Sequence, residues 1–137
     1  MTDIFTKDER SRIMAKIGGK DSAIEMRVRR LLFSLGYRYR LHVAALPGKP
    51  DIVFPGRRKA LFVHGCFWHG HEGCKRATVP EQNAEFWQRK IARNVARDET
   101  VQRQLISAGW GVLVVWGCEV RANSDDLSNR LHQFLEG

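Results

Sequence analysis

The chain is poor in several features, and each shortage excludes a class of protein. No run approaches the roughly 18 apolar residues of a membrane span, and the opening "MTDIFTKDERSR" has no apolar signal-peptide core. A cytoplasmic protein with no membrane partner is therefore expected, in a compartment where thiols stay reduced. Only three cysteines are present, Cys66, Cys74 and Cys118. An odd number without an export signal argues against a disulfide framework and leaves metal binding open. The sequence has no internal repeat, no low-complexity tract and no Ser/Gly/Pro-rich linker, so residues 1–137 read as a single domain, with residues 1–20 as an N-terminal arm. No dimerisation stripe is evident, and a monomer is expected. Acidic residues are also scarce, 15 against 23 Lys and Arg, for a net charge of +8. A basic protein of this size most often meets a polyanion, and nucleic acid is the first candidate.

Hydrophobic residues make up 43% of the chain, enough for one core without disulfides. "DSAIEMRVRRLLFSLG" predicts a helix, with Ile24, Val28, Leu31, Leu32 and Leu35 at helical spacing and Gly36 as its stop. Three strand-like runs follow, "YRYRLHV", "PDIVFP" and "KALFVHGCFW", separated by the turn sequences "LPGKP" and "PGRRK". A long helix is predicted from about Glu81 to Ala108, closed by Gly109. "GVLVVW" then reads as a buried strand, and the segment from Ser124 as a helix with Leu127, Leu131 and Leu135 on one face. The order implies an α/β fold, a central mixed β-sheet flanked by helices.

The chemistry concentrates in "HGCFWHGHEGCK", residues 64 to 75. Cys66, His71 and Cys74 leave four and two residues between successive candidates, spacings that let one loop wrap a tetrahedral ion. Cys118, just past "GVLVVW", can supply a fourth ligand if that strand lies beside "ALFVHG". The set would then be a closed Cys3His zinc site; the alternative is three buried thiols and a surface histidine. A zinc deaminase is excluded, because His71 and Glu72 are adjacent and no Cys-x-x-Cys exists.

His64 and His69 are left over, and Asp51 opens the preceding strand. A carboxylate suits Mg²⁺, an imidazole can move protons near neutral pH, and together they suit metal-assisted phosphodiester hydrolysis. Against this, Asp51 reads equally as a turn residue after Pro50, and each His as a polar strand end. Glu25 has capping-box spacing to Ser22, and spacing alone favours that role. Phe67 and Trp68 read either as core residues or as an exposed stacking pair. Trp87 shares a helical face with Ile91 and Val95. Lys90 and Asn94 are four apart and suited to base edges, while Arg89, Arg93 and Arg97 form a basic stripe suited to phosphates or to solvent.

The pieces "RSRIMAKIGGKDSAIE", "LPGKPDIVF", "FVHGCFWHGH", "EFWQRKIARNVARD" and "GWGVLVVWGCE", in this order, carry a resemblance to the very short patch repair endonucleases over nearly all of the chain. The resemblance implies a restriction-endonuclease-like core of the PD-(D/E)xK superfamily with one structural zinc. It implies Mg²⁺-dependent nicking of double-stranded DNA 5′ to the mismatched T of a T:G pair, the lesion left when 5-methylcytosine deaminates, with repair proteins acting downstream. Asp51 then resembles the main Mg²⁺ ligand, helped by the backbone carbonyl of residue 63, often Thr in the family and Val63 here. His69 resembles the residue that handles the proton of the attacking water, His64 its partner, and Glu25 an acidic residue near the active site. Cys66, His71, Cys74 and Cys118 would be the zinc ligands, although the loop between His71 and Cys74 is one residue longer than in some relatives. Phe67, Trp68 and Trp87 would wedge into the base stack, Lys90 and Asn94 would contact the mismatched pair, and the arm near Met14 would grip the opposite groove. The competing readings are a restriction-type nuclease of the same superfamily and a zinc-containing DNA-binding module without catalysis.

Overall fold

The computed structural model describes residues 23–74, 78–122 and 125–137. The N-terminal arm with Met14, and Ser22 with it, lies outside the described residues. Helix α1 spans Ala23–Ser34, strands β1, β2 and β3 span Arg40–Leu41, Ile52–Phe54 and Lys59–His64, helix α2 spans Ala84–Ser107, strand β4 spans Gly111–Trp116, and helices α3 and α4 span Gly117–Ala122 and Asp125–Glu136. The four strands form one mixed sheet in the order β1-β2-β3-β4. The first two pairings are antiparallel, and β3 pairs with β4 in parallel, from Lys59 opposite Gly111 to His64 opposite Trp116. A parallel pair needs a long crossover, and α2 supplies it.

Alternation along β3 decides what each face of the sheet packs against. Leu61 and Val63 join Ile52, Phe54 and Val115 against Val28 and Leu32 of α1, Val120 of α3, and Leu127, Leu131 and Leu135 of α4. Ala60 and Phe62 face the other way and pack with Val112, Val114, Val101 and Leu105, the last two on α2. Helices therefore cover both faces, as an α/β sheet containing a parallel pair requires. His64 shares the parity of Phe62 and stands on the α2 side, which matters for the site below.

Both long helices end as their glycines predict. Gly36 has φ +96° and Tyr37 N–H donates to the Leu32 carbonyl. Gly109 has φ +90° and Trp110 N–H donates to the Leu105 carbonyl. These are the left-handed residue and the long return bond that satisfy carbonyls orphaned at a helix end. At the end of α4, Arg57 takes the Leu135 carbonyl and Lys59 takes those of Phe134 and Gly137.

The elements depart from expectation in five places, the first being "GVLVVW", which forms an edge strand with Val115 its one buried residue. "YRYRLHV" contains a strand of two residues only, because Tyr37 and Tyr39 turn edge-on to Phe54 and pack as core rings rather than extending the ladder. Leu35 falls beyond the last turn of α1 and is exposed, although its spacing assigned it to the apolar face. Helix α2 begins at Ala84, later than Glu81, since Asn83 takes the left-handed conformation at its start. A short helix, α3, follows β4 without a break and had no counterpart in the sequence pattern. Among the described residues no helix is long and apolar enough to cross a membrane.

Candidate active site and metal centre

The parallel strands end side by side, and the chemistry sits at and just beyond those ends. After His64 the chain leaves the sheet in a run of tight turns: His69 N–H donates to the Gly65 carbonyl and His71 N–H to the Cys66 carbonyl. Gly70 lies against α2 with φ +59°, and a Cβ there would come within 2.8 Å of the Ile91 side chain and 3.1 Å of Val95. The helical face of Trp87, Ile91 and Val95 is thus what the loop rests on. Asn94 Nδ2 donates to the Trp68 carbonyl at 2.9 Å, so this side chain spends its amide on holding the loop.

The three cysteines and His71 meet. Cys66, His71, Cys74 and Cys118 each offer one donor atom, and these atoms lie within 4.8 Å of one another. Cys118 comes from the start of α3, one residue after its first, so the unforeseen helix is what turns its thiol back to the loop. Cys118 Sγ is 3.4 Å from His71 Nδ1. That is close to the edge of about 3.6 Å expected for a tetrahedron with metal–nitrogen and metal–sulfur bonds of ordinary length. The His71 ring stacks on Trp116, with centroids 4.1 Å apart and planes at 8°. Burial, then the neighbouring Cys66 and Cys74 thiols, push the Cys118 thiol up to about 11. Crowding of this kind opposes thiolate formation without a cation, and a bound cation removes the opposition. The four donors fit a closed tetrahedral metal site.

A second cluster lies on the α2 side of β3. His64 and His69 stack face to face, with centroids 3.8 Å apart and planes at 4°. Asp98 of α2 accepts a hydrogen bond from His69 Nδ1 at 2.6 Å and lies 3.9 Å from His64 Nε2. Burial first, and His69 second, push His64 down to about 4, against the pull of Asp98. A neutral His64 is what allows a second imidazole to lie flat against it. Asp98 ends the motif "EFWQRKIARNVARD", and nothing in its own spacing marked it as a site residue.

Asp51 and Glu25 form the third cluster. Asp51 Oδ2 accepts the Val63 N–H at 2.7 Å, which locks the carboxyl against β3. Glu25 is only 2% exposed and pairs with Arg29 one turn along α1. It points into the protein, and Ser22, its partner in a capping box, lies outside the described residues. His42, a half-buried residue past β1, stands between the two carboxyls. Burial first, then Glu25, push Asp51 up to about 7, while the Val63 N–H and His69 act the other way. His69 thus lies within electrostatic reach of Asp51, which relates the second cluster to the third.

The aromatic residues gather beside it. Phe67, Trp68 and Trp87 meet edge to face, with centroid separations of 5.1 to 5.7 Å. Phe86, which the sequence reading passed over, adds an exposed ring 5.2 Å from Trp87. Lys90 Nζ lies 5.4 Å over Trp68 and 6.0 Å over Trp87. Phe86, Arg89, Lys90 and Arg93 line an open groove next to these rings. The outcome lies between the two readings: the rings are half-buried against one another, at the surface, under a row of cations.

The Asp51 pKa carries a stability consequence with a definite sign. In Mg²⁺-free protein the native state holds a proton on Asp51 between about pH 4 and about 7 that the unfolded chain releases, so this group's contribution worsens as pH rises through that window. Asp51→Asn should therefore stabilise the metal-free chain at pH 8, by on the order of 1–3 kcal/mol after allowance for partial exposure, and not at pH 4. Urea unfolding at both pH values checks this; an equal gap at the two pH values would refute the burial account.

A profile described as "DNA mismatch endonuclease Vsr" matches residues 2–76. Over 136 residues, covering 99% of this chain and 98% of the relative, the sequence is 46% identical to the type II nicking enzyme V.XorIIP of Xanthomonas oryzae pv. oryzae. It is 44% identical over 135 residues to the type II nicking enzyme V.NmeAIP of Neisseria meningitidis, covering 98% of this chain and 95% of that one. It is 40% identical over 141 residues to the DNA mismatch endonuclease Vsr of Escherichia coli, covering 100% and 90%. The residues drawn together at the ends of β3 and β4 thus sit in a sequence matched over nearly its whole length, and the chain belongs to the Vsr family of DNA mismatch endonucleases.

Proposed function

We propose that the protein is a T:G mismatch-directed endonuclease that nicks double-stranded DNA 5′ to the mismatched T, with Mg²⁺ at Asp51 and a structural zinc in the Cys66–His71–Cys74–Cys118 tetrad. The observation that carries the reading is the His69–Asp98 hydrogen bond within electrostatic reach of Asp51. A carboxylate only accepts, so Nδ1 of His69 donates to Asp98, and Nε2 is left as the nitrogen able to take a proton from water. Asp98 also stabilises the imidazolium that results. His64, held neutral by burial, lies flat on His69 and limits how the ring can turn. Asp51, with Glu25 beside it and the Val63 carbonyl on the adjoining strand, supplies oxygen donors of the kind Mg²⁺ selects. Once bound there, the ion supplies charge stabilisation for the phosphodiester under attack.

Substrate choice rests on the aromatic group. A T:G wobble stacks less well than a matched pair, so prying the stack open costs less there, and inserted rings recover part of the cost. Phe67 and Trp68 sit on the loop that the metal tetrad closes, with Trp87 behind them, so the wedge is held stiffly. Lys90 and the basic residues of α2 face the same way, toward a polyanion. Met14 and the N-terminal arm would close on the DNA from the other side.

The first test is strand-specific nicking with Mg²⁺ on paired duplexes carrying T:G or C:G, across several methylation-site contexts. Nicking of the T strand of T:G alone is expected, and Asp51→Ala should abolish it with DNA binding kept. Cleavage of both duplexes would make the enzyme a restriction-type nuclease instead. Trp68→Ala should reduce discrimination between T:G and C:G in nicking more than it weakens binding to matched DNA, by on the order of tenfold for a stacking contact of 1–3 kcal/mol; equal losses on both duplexes would remove the wedge. For the tetrad, about one zinc ion per chain is expected by atomic absorption. Cys118→Ser should lose it together with several kcal/mol of stability, and a zinc-free folded wild type would reject the site.

A further inference from the structure

His42 follows β1 and has φ +49°, and its N–H donates to the Asp51 carbonyl at 3.1 Å. The backbone bond anchors the residue directly opposite Asp51. Its ring then reaches both carboxyls of the site: Nε2 is 3.1 Å from Glu25 Oε2, and Nδ1 is 3.9 Å from Asp51 Oδ1. One donor atom from each of Glu25, His42 and Asp51 lies within 4.8 Å of the other two.

Arg29 indicates how the ring is presented. Its Nη2 bonds to Glu25 Oε2 and lies 3.1 Å from His42 Nε2. His42 Nε2 is 3.1 Å from both a guanidinium donor and a carboxylate oxygen, so the tautomer sets whether it accepts from Arg29 or donates to Glu25. An imidazole nitrogen and a carboxylate oxygen thus converge on one cationic group. With the proton on Nδ1, the Nε2 lone pair and the Glu25 oxygen face a common cation, and the Asp51 carboxyl lies alongside as a third donor.

We infer that His42 is a third ligand of the divalent-cation site at Asp51 and Glu25, adding one nitrogen to an oxygen donor set and thereby setting which metal the site prefers. The inference rests on the nuclease reading of Asp51 for its biological meaning, whereas its geometry stands on Glu25, His42 and Asp51 alone. Mg²⁺ takes oxygen donors and keeps much of its water, while first-row transition ions gain from imidazole. The site should therefore favour Mn²⁺ over Mg²⁺ beyond what an all-oxygen set gives.

The test is Mn²⁺ binding to the full chain without DNA, followed by the electron paramagnetic resonance of the free ion and by Mg²⁺ competition. Bound Mn²⁺ in the wild type should show spin-echo modulation from a directly coordinated nitrogen. His42→Gln should abolish that modulation and weaken Mn²⁺ by on the order of tenfold, with Mg²⁺ affinity little changed. Bound Mn²⁺ without nitrogen modulation in the wild type would overturn the inference, and this readout needs no variant to fold. Modulation that persists in His42→Gln, equal weakening of both ions, or no Mn²⁺ binding would overturn it too. None of these readouts involves turnover, so a chain that nicks no duplex yet shows the nitrogen coupling loses the nuclease reading and keeps this one.

Discussion

β3 and β4 run parallel and stop together, at His64 and Trp116. That shared end is what the site depends on. It delivers the loop after His64 and the helix after Trp116 to the same place, so Cys66 and Cys118, 52 residues apart in sequence, come within 3.4 Å through the Cys118 N–H and the Cys66 sulfur. The crossover that makes the pairing parallel is α2, and α2 is also the element that carries Asp98, Asn94, Lys90 and Trp87. One topological choice therefore sets the proton-handling pair, the support of the loop and the cationic aromatic surface at once. An antiparallel β4 would leave Cys118 at the opposite edge of the sheet, and the tetrad could not form.

Electrostatics then divides the neighbourhood. Glu25 and Asp51 stand close together, and Asp98 belongs to a second cluster with His64 and His69, in a protein of net charge +8. Each is held by a donor of its own: Arg29 for Glu25, the Val63 N–H for Asp51, and the His69 Nδ1–H for Asp98. Asp51 is met by the Val63 backbone amide, and burial pushes its carboxyl up to about 7. A divalent cation beside Asp51 would oppose the burial that raises it, since the ion supplies positive charge at the carboxyl. Apart from Arg29 at Glu25, basic residues of α2, Arg89, Lys90 and Arg93, line a groove beside the aromatic rings, where they would attract a polyanion.

How much of this was legible in the sequence depended on whether a residue's role was local. The helix stops at Gly36 and Gly109 and the Cys66–His71–Cys74 spacing are short-range signals, and each agrees with the structure, whereas "GVLVVW" forms its strand at the sheet edge with Val115 its one buried residue. Cys118 could be tied to the loop only through the guess that β4 lies beside β3, which is where the sheet puts it. Asp98 and His42 were missed for the same reason in reverse. Asp98 is one acid on a helix rich in arginine, and His42 one histidine in a strand-like run, so their partners appear only when α2 crosses β3 and when β1 pairs with β2. Glu25 was pulled toward a cap by its spacing to Ser22; its burial beside Arg29 and His42 is a tertiary fact that spacing could not contain. "YRYRLHV" overstated its strand because the two tyrosines that raise its β-propensity are spent on Phe54.

The loop from Gly65 to Cys74 joins these functions mechanically. Its ends are held by the tetrad, its middle rests on Ile91 and Val95 through Gly70, and its carbonyl at Trp68 is held by Asn94. His69 sits within this frame, one residue from Trp68. A ring inserted into a base stack would transmit force back to its own backbone, and here that backbone also carries His69, the proton acceptor of the proposed mechanism. Any displacement of Trp68 on engaging DNA is therefore shared with His69, whose position is otherwise fixed by the stack on His64 and the bond to Asp98. Under the proposed function, stiffness at this point would serve both tasks: a wedge must not yield, and a general base must stay within about 3 Å of the water it deprotonates. Placing Trp68 and His69 side by side on one clamped loop lets a single set of anchors meet both demands. It also explains the crowding of metal ligands around an aromatic pair, since the ligands are the anchors.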